Sequence, residues 1–189
     1  EALLREVSRN SYMSADLTGI TTLEELNSRL RYYVYENIGF TDFYLCLYKN
    51  WLNIKEDKAG TEKNKDDEMI MEVGIKNRVD YSKIRFLRKY LIPPQFIDDK
   101  PLIFFFTMLH HLDFDFGYVA IAFEDIRTYM TTFQTWMINV SNALENIRVH
   151  NELNRLVYKL EDMYIRDELT GLYNRRGLEI LGEKYLKQD

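Results

Sequence analysis

The amino-acid sequence predicts an α+β fold: an antiparallel sheet flanked by helices and followed by one long helix. Three observations lead there. Period-two apolar alternation marks strands in the first two thirds of the 189-residue chain. Eight Gly and three Pro are too few for a loop-rich all-β chain. Between Asp125 and Gly171 neither residue type occurs, so a single helix of roughly 40 residues, about 60 Å at 1.5 Å per residue, is the simplest reading.

Each element follows from its local pattern. Residues 1–19 read as an N-terminal linker helix: Ala2, Leu3, Leu4 and Val7 lie among charges, and the chain opens mid-helix, as if cut from something longer. The stretch from Ser14 to Thr22 reads as a linker. Thr21 and Thr22, each with a Glu three residues on, offer two capping boxes for a helix carrying Leu23, Leu26, Leu30, Tyr33 and Val34 on one face and ending at Gly39. Thr41 to Tyr48 alternates as a strand, Asn53 to Glu68 reads as a mobile charged hairpin loop, and Met69 to Ile75 is a second strand. Lys76 to Lys89 holds six Lys or Arg against one Asp and runs to Pro93-Pro94, a partly helical crossover with room for one or two more strands. Pro101 to His111 and Phe116 to Phe123 form a hairpin around Asp113-Phe114-Asp115. Ten of the eleven Phe and all three Pro precede residue 124, which places the boundary of the sheet domain, 20–124, at Glu124.

The closing and signalling helix, 125–166, carries two stripes. Met130, Phe133, Met137, Val140, Leu144 and Ile147 make the first, and Val149, Leu153, Leu156, Leu160 and Met163 the second. Both run in threes and fours but are out of register with each other. The first is expected to pack on the sheet domain and the second to face a partner helix, with Asn139, Asn142 and Asn146 extending the second backwards.

Composition narrows the function. A net charge of −5 lacks the basic excess of a nucleic-acid binder. The lone Cys46 excludes a disulfide framework or multi-thiolate metal site and points to the reducing cytosol, a cytoplasmic location; in a strand it reads as a small buried hydrophobe. The apolar run Leu102 to Leu109 is far short of the roughly 20 residues that span a bilayer, so no membrane partner is expected. His110, His111, Asp113 and Asp115 are metal-ligand types, with His111, Asp113 and Asp115 on one predicted strand face; a polar turn is the plainer reading, and no metal is assigned. Lys83, Arg85, Arg88 and Tyr90 are the candidate ligand-pocket residues, suited to a small anion or planar ring, with a solvated helix face as the alternative.

The most specific pattern is last. Asp167-Glu168-Leu169-Thr170-Gly171-Leu172-Tyr173-Asn174-Arg175-Arg176 places a helix-breaking Gly171 before Asn174, a good N-cap for a helix carrying Leu178, Leu181 and Tyr185. Two arginines in a first helical turn oppose the helix dipole and call for an acidic partner, with Asp167 nearest. This stretch resembles the opening of the GGDEF family of diguanylate cyclases, through Asp167, Leu169, Thr170, Gly171, Leu172, Asn174, Arg175 and Arg176. The resemblance implies that 167–189 begins a GGDEF domain whose metal carboxylates, guanine contacts and signature turn lie further on. It also implies a parent enzyme joining two GTP into cyclic di-GMP with Mg²⁺, one GTP per subunit, and a chain that by itself holds no catalytic residue and no cofactor. Residues 20–150 are similar in element order to GAF sensor domains, through Gly117-Tyr118-Val119-Ala120-Ile121 and Leu91-Ile92-Pro93-Pro94. The latter segment is also similar to proteins in which a GAF-like unit follows a periplasmic-binding-protein-like domain. The expectation is a sensor and dimerisation segment, a parallel homodimer through the long helix, that takes a small-molecule ligand. The alternatives are a ligand-independent spacer or a cyclic-nucleotide receptor with a degenerate GGDEF domain.

Overall fold

The computed structural model describes residues 12–36, 40–53, 67–97, 103–123, 130–167 and 170–186. Helix α1 is Leu23–Glu36. The strands are β1 Phe40–Tyr48, β2 Glu68–Lys76, β3 Val79–Tyr81, β4 Ile84–Leu87, β5 Phe104–His111 and β6 Phe114–Phe123. Helix α2 is Met130–Ile165 and α3 is Arg175–Leu186. The chain divides after Ile147 into two compact units. The first part of α2 therefore belongs with the sheet.

The sheet is antiparallel, in the order β3-β2-β1-β6-β5, with β4 following β3 along the same edge of β2. One face carries Phe43 and receives Trp136 of α2, stacked at 5.5 Å between centroids. The other carries Tyr44, which meets Phe96 of the connector between β4 and β5 at 5.6 Å. That connector crosses in two 3-10 turns, Arg88–Tyr90 and Pro94–Phe96. It is pinned by the Tyr118 hydroxyl donating to the Leu91 carbonyl at 2.5 Å and by Lys76 Nζ donating to the Phe96 carbonyl at 2.7 Å. Gly117 has φ +146°, and a Cβ there would overlap the Cys46 carbonyl and meet Leu47 Cα at 2.8 Å, so only glycine lets β6 lie this close to β1.

Several expectations change. Residues 12–17 are helical, as the helix expected within 1–19 requires, so the linker does not begin at Ser14, and Met13, Leu17 and Ile20 are buried in the core. Asp16 ties this segment to α1, accepting from the Tyr33 hydroxyl at 2.9 Å and pairing with Arg29 at 3.2 Å. Burial and the Asp16 bond push the Tyr33 phenol up to about 12. Of the two capping boxes, Thr22 caps α1, its Oγ1 accepting from the Glu25 amide at 3.3 Å. The stretch 76–89 holds the two further strands allowed for it, β3 and β4, and its helical part is confined to the 3-10 turn that opens the crossover at Arg88. Its basic residues misdirected the reading because an edge strand, open on one side, carries charge as readily as a helix face does. The β5–β6 turn is Leu112-Asp113, one residue earlier than expected, and Leu112 takes φ +51°. The N-terminal stretch 1–11, the Gly39 cap and most of the charged loop, 54–66, lie outside the described residues.

Candidate functional site

The joint between α2 and α3 is built by backbone chemistry that the motif supplies. Ile165 ends α2, and the chain turns back through a bridge between Arg166 and Tyr173. Asp167 Oδ1 accepts from both the amide and the hydroxyl of Thr170, at 2.9 and 2.8 Å, while its own amide donates to the Leu172 carbonyl at 2.8 Å. Gly171 sits at φ +69°, the left-handed conformation that favours glycine. Asn174 then works in both directions. Its Oδ1 caps α3 by accepting from the Gly177 amide at 2.9 Å, and its Nδ2 donates back to the Tyr164 carbonyl at 2.9 Å. One side chain thus satisfies orphan groups at the end of one helix and the start of the next.

The joint is also close-packed. A Cβ on Gly177 would overlap the Ile165 carbonyl and meet Tyr173 Cδ1 at 3.1 Å. Arg166 lies over the Tyr173 ring at 4.7 Å and pairs with Asp162 at 2.7 Å. The two first-turn arginines are met by groups other than those the sequence suggested: Arg175 pairs with Glu179 at 3.2 Å, and Arg176 lies over the Tyr164 ring at 4.4 Å. Leu172 is exposed, and Leu169 lies outside the described residues. Replacing Asn174 by Ala should therefore cost about 1 kcal/mol of local stability as the cap is lost. Hydrogen exchange should detect it as faster exchange of the α3 amides, with strands β1 and β6 unchanged.

Along α2 the two stripes behave differently. Phe133, Met137, Val140, Leu144 and Ile147 are buried, whereas Val149, Leu153, Leu156, Leu160 and Met163 are 46–66% exposed. At 100° per residue the mean directions of the stripes differ by about 160°, so they occupy opposite sides of the helix. Asn139 does not extend the second stripe, because its Oδ1 accepts from the Ser14 hydroxyl at 3.3 Å. Ile138, 60% exposed, lies instead on that side of the helix, a position the sequence reading missed although steps of seven from Val149 to Asn142 and four from Asn142 lead back to it.

A groove of about 440 Å³ lies where the β2–β3 hairpin meets the connector, lined by Lys76, Asn77, Val79, Tyr81, Ile84, Gln95 and Phe96. Tyr81 and Phe96 form one wall, edge to face at 4.7 Å. The groove falls in the region the sequence indicated but on other side chains: Lys83, Arg85, Arg88 and Tyr90 are all exposed and none lines it. Arg88 lies over the Tyr48 ring at 5.6 Å, and Lys89 over Tyr90 at 4.9 Å. Cys46 is fully buried, and burial pushes its thiol far up, which leaves it unreactive.

Across the β5–β6 ladder His110 faces Asp115 and His111 faces Phe114, so His111 and Asp115 do not share a face as expected. Among the described residues no group of three or more His, Cys, Asp or Glu side chains converges, and no helix is long and apolar enough to cross a membrane. Within the described part of 167–186, Asp167 accepts from Thr170 and Glu179 pairs with Arg175. No family model, curated protein or solved structure matches the chain.

Proposed function

We propose that this chain is a regulatory segment, a sensor unit and dimerising helix that set the geometry of a diguanylate cyclase domain continuing from residue 189. The observation that carries the reading is the joint at Asp167–Asn174. Asp167, Thr170, Gly171 and Asn174 each make a contact or adopt a conformation that shapes it, which is what a motif that builds a connection, rather than performs a reaction, requires. A helix with a long exposed apolar stripe leading into that joint supports a parallel homodimer, since the resembled reaction brings two nucleotide sites together from the same end of a helix pair. The sheet unit, with its helix-covered face and its connector-covered face, supports a GAF-like sensor, and the groove beside Tyr81 and Phe96 is the place for a small planar ligand. Regulation is then a bias between two arrangements of the helix pair.

The test compares three samples with GTP and Mg²⁺. This chain alone should yield no cyclic di-GMP. A fusion that continues residue 189 into the remainder of a GGDEF domain should be active, and more so than the same domain lacking residues 1–166. Turnover by the chain alone that resists contaminant controls, or equal rates with and without residues 1–166, would overturn the reading.

A further inference from the structure

Glu72 is an acid in a place that tolerates an ion poorly. It sits where β2 slips register against β1: Cys46 pairs with Met71 and Leu45 with Val73, which leaves Glu72 as the extra residue. A bulge of this kind re-aims a side chain, and here it brings the carboxyl to α1, where Asn27 Nδ2 donates to Oε2 at 3.4 Å. Glu72 is 7% exposed and Asn27 5%. The other end of the amide, Asn27 Oδ1, is buried with no hydrogen-bond partner. An orphaned amide oxygen beside a carboxyl is one proton short of a complete pair. Exchanging the amide oxygen and nitrogen does not remove the need, because it sets two acceptors face to face and orphans the NH₂ instead.

The charged surroundings do not supply an alternative. Arg31 on α1 and Lys83 ahead of β4 favour the ion, but Arg31 is held at 2.7 Å by Asp80 of β3, and the β1 residues opposite, Leu45 and Cys46, carry no charge. Burial outweighs both cations and holds the Glu72 carboxyl above the usual range.

We propose that Glu72 and Asn27 form a proton-dependent clamp between α1 and the sheet, in which the neutral carboxyl donates to Asn27 Oδ1 while accepting from Nδ2. Raising the pH removes that proton and leaves a buried ion beside an unsatisfied amide oxygen. The unfolded chain loses its proton first, so the clamp's contribution to stability is complete below the ordinary carboxylate range. It is lost as the pH rises through the raised value and absent above it. Helix α1 is the element that loosens. The clamp is independent of the cyclase reading, since it rests on the sheet unit alone.

Glu72→Gln tests it, because a primary amide has the same shape and makes both bonds at every pH. The full chain and this variant are melted from below the ordinary carboxylate range up to about pH 8. The melting temperature of the wild type should fall below that of Glu72→Gln as the pH rises, by on the order of several degrees, and match it at the acid end. At pH 8 the α1 amides should exchange more slowly in the variant, with β5 and β6 unchanged. A variant less stable than wild type at pH 8, or parallel pH profiles, overturns the clamp. Should the variant fail to fold, the wild-type carbon resonance of the Glu72 carboxyl decides: titration above the usual carboxylate range supports the proposal, and titration within it defeats the proposal.

Discussion

Leu156→Asp and Leu160→Asp together are expected to convert a dimer into a monomer in sedimentation equilibrium. Leu156 is 46% exposed and Leu160 66% exposed in the single chain, within a stripe that runs from Val149 to Met163. An apolar stripe of that length is a partner surface rather than scattered exposure. Four leucines per dimer are lost, each worth about 1.5–3 kcal/mol when fully buried, and four carboxylates enter the seam instead. Association should weaken by more than about 1,000-fold. Both positions follow Ile147, where the sheet unit ends, so its thermal unfolding should be unchanged. A double variant that sediments as wild type would remove the helix from the interface.

Much of this was legible because it depends on periodicity. The alternation of Phe43, Leu45 and Leu47 with Tyr44, Cys46 and Tyr48 located β1, and both sets are buried. The sheet is covered on both faces, so alternation there marks two apolar layers rather than inside and outside. Of the two stripes on α2, the described residues of the first are buried as expected, from Phe133 to Ile147, and those of the second are exposed. Short elements were harder. β3 and β4 have three and four residues, below the length at which alternation can be told from chance, and exposed Arg85 and Leu87 interrupt the apolar pattern around buried Phe86. A linker starting at Ser14 cuts the N-terminal helix short, because Met13 and Leu17 are spaced for a single turn, too short to register beside Ser14 and Asp16.

The candidate site divides in the same way. Asn174 was identified as a cap and Gly171 as a break because those roles are local, set by one side chain and its own backbone. Arg175 finds its acid one turn on in its own helix, Glu179, which i,i+4 spacing offered and the choice of Asp167 passed over, whereas the contact of Arg176 with Tyr164 depends on how α3 folds back on α2. The groove residues Lys76, Tyr81 and Phe96 come from three elements that only the sheet order brings together. Nor could the Glu72 clamp be read beforehand, since a bulge shifts which residues face a helix without leaving a mark in the alternation.

Insertions into α2 carry the second large effect, and they test the transmission of signal rather than association. Near Glu152 the helix has left the sheet unit and has not reached the joint at Asp167. Two residues added there should rotate everything that follows by about 200°, turning Leu153, Leu156 and Leu160 away from the line set by Val149 and Ile138. Three or four added residues should restore the stripe approximately, because each is close to one turn. In a chain continued through a complete GGDEF domain, cyclic di-GMP output should therefore follow insertion phase. The two-residue insertion should lose about tenfold or more, some 1.4 kcal/mol in barrier, and the three- and four-residue insertions much less. The joint itself should survive in all of them, because the contacts that shape it run among Asp162, Tyr164, Arg166, Asp167, Thr170, Asn174 and Gly177, all beyond the insertion. Output that ignored phase would show that α2 tethers the domain without steering it. A crosslink joining the two Arg166 positions in a dimer supports the parallel pair, whereas crosslinks placing them at opposite ends would make the pair antiparallel and the helix unable to bring two catalytic domains together.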